Sequence, residues 1–462
     1  MEADSLCRSS CGGEEMKAAG TMKKRELVHL FVTVFLSSFS TFLVFPAITD
    51  VTIAAVCPGR ESCSLAIYLT GFQQAMIGMG TVVMNPVIGN LSDLYGRKAL
   101  LTFPLTLSII PLAILAYSQE TNFFYAFYLL RTLTAMTCEG SVNCLALAYL
   151  ADNIPEKERV STFGILAGFT SASFVCGTLV ARFLPTSLTF QVAALGSMMA
   201  AVYMRIFLKE SRLSDHGDSS LSQPILKGSE PVLERITDDD DYTPKTKVAF
   251  KKMPSAADLF GLLRSSKTLS QAGIITFFQS LAEGGMQATV LYFLKARFQF
   301  DKNQFADILL LVGISGAISQ MVFMPLLAPR IREERMLSFG LLLNCISMFL
   351  NSVAWAPWVP YAATVFSSFG LLAQPTIRSI ASKQVGPTEQ GKAQGCMAGI
   401  SSFANIVSPL VFSPLTALFL SEDAPFNFPG FSIMCLGLAT VIALILSTMI
   451  RASPPISSHS VA

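Results

Sequence analysis

The sequence predicts an all-α membrane protein, with twelve transmembrane helices in two pseudo-symmetric six-helix bundles. Three observations predict it. Of 462 residues, 52% are hydrophobic and only 14% charged, whereas soluble domains run near a quarter charged. Most of the chain therefore has no surface to give to water. Apolar runs of roughly 20 or more residues, long enough to cross a ~30 Å hydrocarbon core, recur along the chain as six plus six. Lysine and arginine, finally, are sorted onto alternate connections between the runs, as a fixed membrane orientation requires.

Residues 1–26 are polar and carry Lys23-Lys24-Arg25, which reads as a cytosolic N-terminal tail. The run at about 27–49 is too long for the core of a signal peptide, so it is expected to be a retained first helix. Five more runs follow at about 65–91, 99–117, 122–150, 160–184 and 187–207, where only Arg182 and Pro185 mark the last turn. Residues 27–207 thus form the N-terminal bundle. The segment 208–268 holds Ser219-Ser220, Pro224, Pro231, Pro244 and the acidic run Asp238–Asp241. Polar, proline-broken and poor in aromatics, it reads as a largely disordered cytosolic linker. Lys251-Lys252 and Leu259–Leu263 suggest a short amphipathic helix on the membrane surface. Runs at about 269–294, 303–328, 336–355, 359–383, 391–420 and 430–450 build the C-terminal bundle, 269–450, and 451–462 is a cytosolic tail. With both termini inside, 27 of the 33 Lys and Arg residues fall on cytosolic segments and 5 on outer ones.

The composition also excludes. A net charge of +2 gives no footprint for nucleic acid. His29, His216 and His459 are the only histidines and none lies deep in an apolar run, so no metal cluster or metalloprotease motif forms. No phosphate-binding glycine loop occurs, which argues against ATP-driven pumping. With no nucleophile–base pair either, the chain is not expected to be an enzyme, and no cofactor is expected. Cys57 and Cys63 flank a short outer loop and are read either as a disulfide or as two free thiols.

The densest motif is Gly89-Asn90-Leu91-Ser92-Asp93-Leu94-Tyr95-Gly96-Arg97-Lys98, a charged, glycine-punctuated turn between two apolar runs. Gly89 and Gly96 permit close helix approach and a tight reversal. An acid at Asp93 suits the positive N-terminal end of a facing helix, and Arg97 and Lys98 suit anionic headgroups. Faint repeats relate the halves. Pro86-Val87-Ile88-Gly89 matches Pro325-Leu326-Leu327-Ala328 at an offset of 239, which sets Arg332 opposite Asp93. Asp152, Pro155, Arg159 and Gly164 parallel the stretch from Pro387 to Gly395 at an offset of 232.

These stretches, with Arg131, Phe45-Pro46, Gln73-Gln74 and Gly386–Gly395, resemble the major facilitator superfamily. Within it they are most similar to plant hippocampus-abundant-transcript-like and tetracycline-resistance-like proteins. The resemblance covers nearly everything but the N-terminal tail and the linker. It implies two six-helix halves, transport by alternating access, and a gate at Gly89, Asp93, Gly96, Arg97 and Lys98 that latches the halves in one state. Val175-Cys176-Gly177-Thr178 lacks the proline of the Gly-Pro pair that antiporters of the superfamily often carry, so the direction of coupling stays open.

Away from the span ends only Arg131, Glu139 and Glu283 carry charge. A charge in hydrocarbon costs at least ~2.5–3.5 kcal/mol on insertion scales, so each needs a partner, a wet cavity or a proton. Gln279, Glu283 and Gln287 lie four residues apart and form one polar stripe on the seventh helix. Arg131 and Glu139, eight residues apart on an uninterrupted helix, would be poorly placed for a direct pair. Arg131 is then read as a site for an anionic group or a carboxylate of another helix, and Glu139 as an alternative proton carrier. Asp307 and Arg378, nearer span ends, are expected to snorkel to headgroups. Gln73, Gln74, Gln320 and Gln374 line the cavity or simply join neighbouring helices.

The expectation is a secondary active transporter of a small organic solute, coupled to protons and working as a monomer in the bilayer. Its rivals are a facilitative uniporter and a non-transporting receptor or scaffold. A vacuolar or other endomembrane and the plasma membrane both fit the sequence.

Overall fold

The computed structural model describes residues 3–56, 64–210, 261–264, 266–300, 302–420 and 424–450. Cys57, Cys63, nearly all of the linker and the C-terminal tail therefore lie outside the described residues. Among those described, regular structure is entirely helical. The N-terminal half contains α1 (Ala3–Val56), α2 (Ser64–Tyr95), α3 (Arg97–Leu107, resumed at Ile109–Tyr117), α4 (Thr121–Cys138, resumed at Ser141–Asn153), α5 (Glu156–Phe183) and α6 (Thr186–Phe207). The C-terminal half contains α7 (Lys267–Phe298), α8 (Lys302–Leu327), α9 (Glu333–Ser352), α10 (Val359–Gly370, resumed at Ala373–Lys383), α11 (Gln390–Leu420) and α12 (Phe431–Thr448). Eight of these are long and apolar enough to cross a bilayer unaided. The other four are α4, α7, α9 and α10, which carry either an interruption or more polar groups.

Each half has its own core. Leu30, Leu101, Leu145, Tyr149, Phe163 and Met204 join α1, α3, α4, α5 and α6. Leu269, Leu341, Ile377, Met397 and Ala443 do the same for α7, α9, α10, α11 and α12. Large apolar side chains such as Ile206 and Leu410 stay exposed, which in a bilayer is the lipid-facing surface. Since lipid is as apolar as leucine, close packing and polar contacts, not burial from water, must hold the helices together.

Two interruptions depart from the continuous spans expected at 122–150 and 359–383. In α4, Glu139 is extended (φ −67°, ψ 127°) and Gly140 is left-handed at φ 81°, a conformation that favours glycine. In α10 the helix is interrupted at Leu371 and Leu372. Pro375, four residues after Leu371, has no N–H to give its carbonyl. That carbonyl instead accepts from the Gln320 amide at 3.4 Å. Gln320 lies in a π-helical turn of α8, Ser319–Phe323. The two interruptions stand 232 residues apart, the offset of the second sequence repeat.

The halves meet along two seams. On one, α2 packs against α11 so tightly that a Cβ at Gly89 would collide with the Gly391 carbonyl, and one at Gly395 with the Asn85 carbonyl. On the other, α5 lies against α8, where a Cβ at Gly164 or Gly168 would strike Met324 or Met321. Both seams reach the helix ends next to the α2–α3 and α4–α5 connections.

Candidate functional site

The motif Gly89–Lys98 sits at one end of the α2–α11 seam. Asp93 accepts from the Gly391 N–H at 2.9 Å and the Lys392 N–H at 2.8 Å. These are first-turn amides of α11, which lack acceptors within their own helix, and the carboxylate also faces the positive end of that helix. Gly96, at φ 92°, makes the reversal into α3, and the Lys98 N–H donates to Glu210 at 3.0 Å.

Arg97 overturns one expectation. It is buried, not at the headgroups: its guanidinium pairs with Asp93, donates to Ser92, and reaches Asp152 at the end of α4 at 2.8 Å. A planar fork with several donors can satisfy two carboxylates at once, and that holds it inward. Arg97 thereby ties α2, α3 and α4 of one half together behind the carboxylate that touches the other half.

The membrane-embedded charges also differ from the linear reading. Arg131 and Glu139 do form a direct pair, at 3.5 Å, with both side chains partly exposed. The ideal-helix spacing fails because α4 stops at Cys138, and extended Glu139 turns its carboxylate back. Glu283 lies half-buried on α7. Gln279 of the same helix donates to it at 2.7 Å and Gln374 of α10 at 3.3 Å. It takes part in no ion pair among the described residues. Gln279 is buried and its own carbonyl oxygen has no hydrogen-bond partner among the described residues. Gln287 is exposed, so the expected three-residue stripe comes together as two. The helix is unbroken at Gly284-Gly285, which makes room for Asn405 and Ser408 of α11 and Leu436 of α12.

Arg378 does not snorkel. Its guanidinium donates to the Gln394 carbonyl at 2.9 Å, and the Gln394 amide donates back to the Arg378 carbonyl at 3.1 Å. This reciprocal pair fastens α10 to α11. Gln73 donates to Thr132 at 3.0 Å, joining α2 to α4. Gln320 accepts from Ser171 of α5 at 2.9 Å and so bridges the halves. Another bridge was passed over in the sequence. Buried Asn85 accepts from Ser141 of α4 and donates to Ser402 of α11, each at 3.4 Å. The available signal was an amide preceding Pro86 inside an apolar run.

Comparison with known proteins agrees with the fold. The family profile described as Major Facilitator Superfamily matches residues 30–409 and 272–461. The class H tetracycline resistance protein of Pasteurella multocida is 23% identical over 85% of this chain and 89% of that protein. The hippocampus abundant transcript 1 protein of Homo sapiens is 21% identical over 85% of this chain and 74% of its own length. Among solved structures, the human organic anion transporter MFSD10 (TETRAN) superposes with a TM-score of 0.72, at 17% identity, over 92% of this chain and 99% of that one. The Escherichia coli fucose:proton symporter FucP gives 0.68, at 14% identity, over 92% and 98%. At such identities the structures speak for the fold.

Proposed function

The chain belongs to the major facilitator superfamily, and on that premise we propose that it is a secondary active transporter that moves a small organic solute by alternating access in exchange for, or together with, protons. One observation carries the proton coupling: Glu283, inside the C-terminal bundle, is held by two neutral amides and by no cation among the described residues. A carboxylate so placed can lose and regain a proton without dismantling an ion pair, which a transport cycle needs. Solute entering beside it would compete for the Gln279 and Gln374 amides and so change how readily the carboxyl gives up its proton. Asp93 is proposed as the cytosolic latch, since its two hydrogen bonds reach the other half and must break when that side opens.

The test is flux in proteoliposomes under an imposed pH gradient. Wild-type protein should accumulate solute with the gradient, and Glu283→Gln should lose that accumulation while keeping counterflow exchange. Full gradient-driven accumulation by Glu283→Gln removes it as the carrier. Wild-type flux that ignores the gradient leaves a uniporter.

A further inference from the structure

The turn of α7 that carries Glu283 gathers hydrogen-bond acceptors that its neighbours leave unused. A carboxylate only accepts, so it fixes the amide beside it: the Gln279 nitrogen turns toward Glu283, at 2.7 Å, and the oxygen turns away. That oxygen belongs to a side chain only 2% exposed and has no hydrogen-bond partner among the described residues. A buried acceptor of this kind needs a donor. Glu283 has room for donors too. A carboxylate offers about four acceptor positions, and the amides of Gln279 and Gln374 take one on each oxygen. From α11, the Asn405 Oδ1 approaches the same turn, 2.9 Å from where a Cβ on Gly284 would stand.

Among the described residues, no cation of the surrounding helices answers the charge. On α10 the charged residue nearest Gln374 is Arg378, one turn on, and its guanidinium is engaged with Gln394. On α11, Lys392 and Cys396 lie at least about two and a half turns before Asn405. On α12 the titratable group is Cys435, and on α7 itself Lys295 is about three turns away. Burial falls along α7 from Gln279 through half-buried Glu283 to exposed Gln287. The site is therefore closed at Gln279 and open toward Gln287, and an incoming group meets the carboxylate first.

The chemistry of the acceptors selects the group. A hydroxyl could serve the Gln279 oxygen but would leave the carboxylate uncompensated within the bilayer. An anion would be repelled by it. A hard metal ion seeks about six or more oxygens, more than this turn and Asn405 supply. A protonated amine brings a positive charge and up to three N–H donors together. We infer that Glu283 and Gln279 bind such an amine, so that the solute is a small organic cation whose ammonium donates to both and replaces the proton on the carboxylate. No bond of the solute changes. The carboxyl O–H breaks, its proton leaves to water, and the ammonium keeps all of its own. This deepens the reading of Glu283 as proton carrier and rests on it.

Calorimetric titration of the purified full chain in lipid nanodiscs tests it, in buffers of different ionisation enthalpy so that released protons are counted. The probes are methylammonium and phenylethylamine, set against phenylethanol and phenylpropanoate. Both amines should bind and the other two should not. While the carboxyl is protonated, binding should release up to about one proton per chain and weaken up to about tenfold for each unit the pH falls. Glu283→Gln should lose the proton release and most of the binding. Gln279→Leu should weaken binding about tenfold, the scale of one hydrogen bond to a charged group, and Gln374→Leu, which removes a donor but no free acceptor, should weaken it less. Equal losses in these two variants would make both amides supports of the carboxylate and overturn the Gln279 contact. Silence from both amines with a folded protein overturns the inference, as does equal binding of the alcohol or the carboxylate, or proton release by sodium chloride alone. Flux keeps the two readings apart. A chain that binds amine yet moves nothing along a pH gradient refutes the transport reading and keeps the site, whereas gradient-driven accumulation through Glu283 without amine binding keeps the proton carrier and overturns the amine.

Discussion

In the N-terminal half, Arg131 and Glu139 face one another at 3.5 Å across a break in α4. In the C-terminal half, Glu283 sits on an unbroken α7 and, among the described residues, is bonded by the amides of Gln279 and Gln374. The halves share a fold and a repeat, yet among the described residues one pairs its acid with a cation and the other does not. The difference is why the proposed proton carrier is Glu283 of the C-terminal half and not Glu139 of the N-terminal half.

The strongest way to break the comparison is to give the C-terminal half the cation it lacks. Gln374→Lys sets an ammonium where an amide now donates to Glu283 at 3.3 Å. The resulting pair should hold the carboxylate ionised and abolish gradient-driven accumulation, as Glu283→Gln would from the other direction. Uptake across a pH gradient in proteoliposomes checks it. A Gln374→Lys protein that still accumulates solute with the gradient would show that Glu283 need not change charge.

An intermediate effect is expected at the latch. Asp93→Asn keeps one acceptor for the α11 amides but loses the charge facing the helix start and half of the pairing with Arg97. Transport should fall about tenfold, the scale of one charge-assisted hydrogen bond, while thermal stability in detergent changes little because each half keeps its own core. Undiminished flux in the folded variant would remove the latch. A loss of folding would make Asp93 a core residue.

The fold was legible because its signals are long. Twelve apolar runs and a lopsided distribution of basic residues survive any error of a few residues at their ends. The Asp93 motif was legible because acid, glycines and bases are contiguous. What escaped depends on local breaks and on distant partners. Glycine at Gly140 allowed a left-handed turn that no periodicity could show, and with it the Arg131–Glu139 pair. Arg97 and Arg378 both looked like membrane-edge anchors, since basic residues near span ends usually are. Asp152 and Gln394, which hold them, are 55 and 16 residues away. Gln287 shared the spacing of Gln279 and Glu283, but spacing alone does not say where a neighbouring helix stops covering the stripe.

The smallest effect separates the halves most cleanly. Glu139→Gln removes one member of a pair in which both side chains are partly exposed, and such pairs contribute about 0–1 kcal/mol. Arg131, itself only partly buried, can then be solvated or bonded by the new amide. Thermal stability should shift by a few degrees at most, and the dependence of flux on the pH gradient should be that of wild type. Exchanging the two charges, Arg131→Glu with Glu139→Arg, should be closer still to wild type if the pair only braces the break in α4. If the exchange fails while Glu139→Gln succeeds, the cation is needed at position 131 itself, as an anion-binding group would require. If Glu139→Gln abolishes gradient-driven accumulation and Glu283→Gln does not, the assignment of proton and brace to the two halves is reversed.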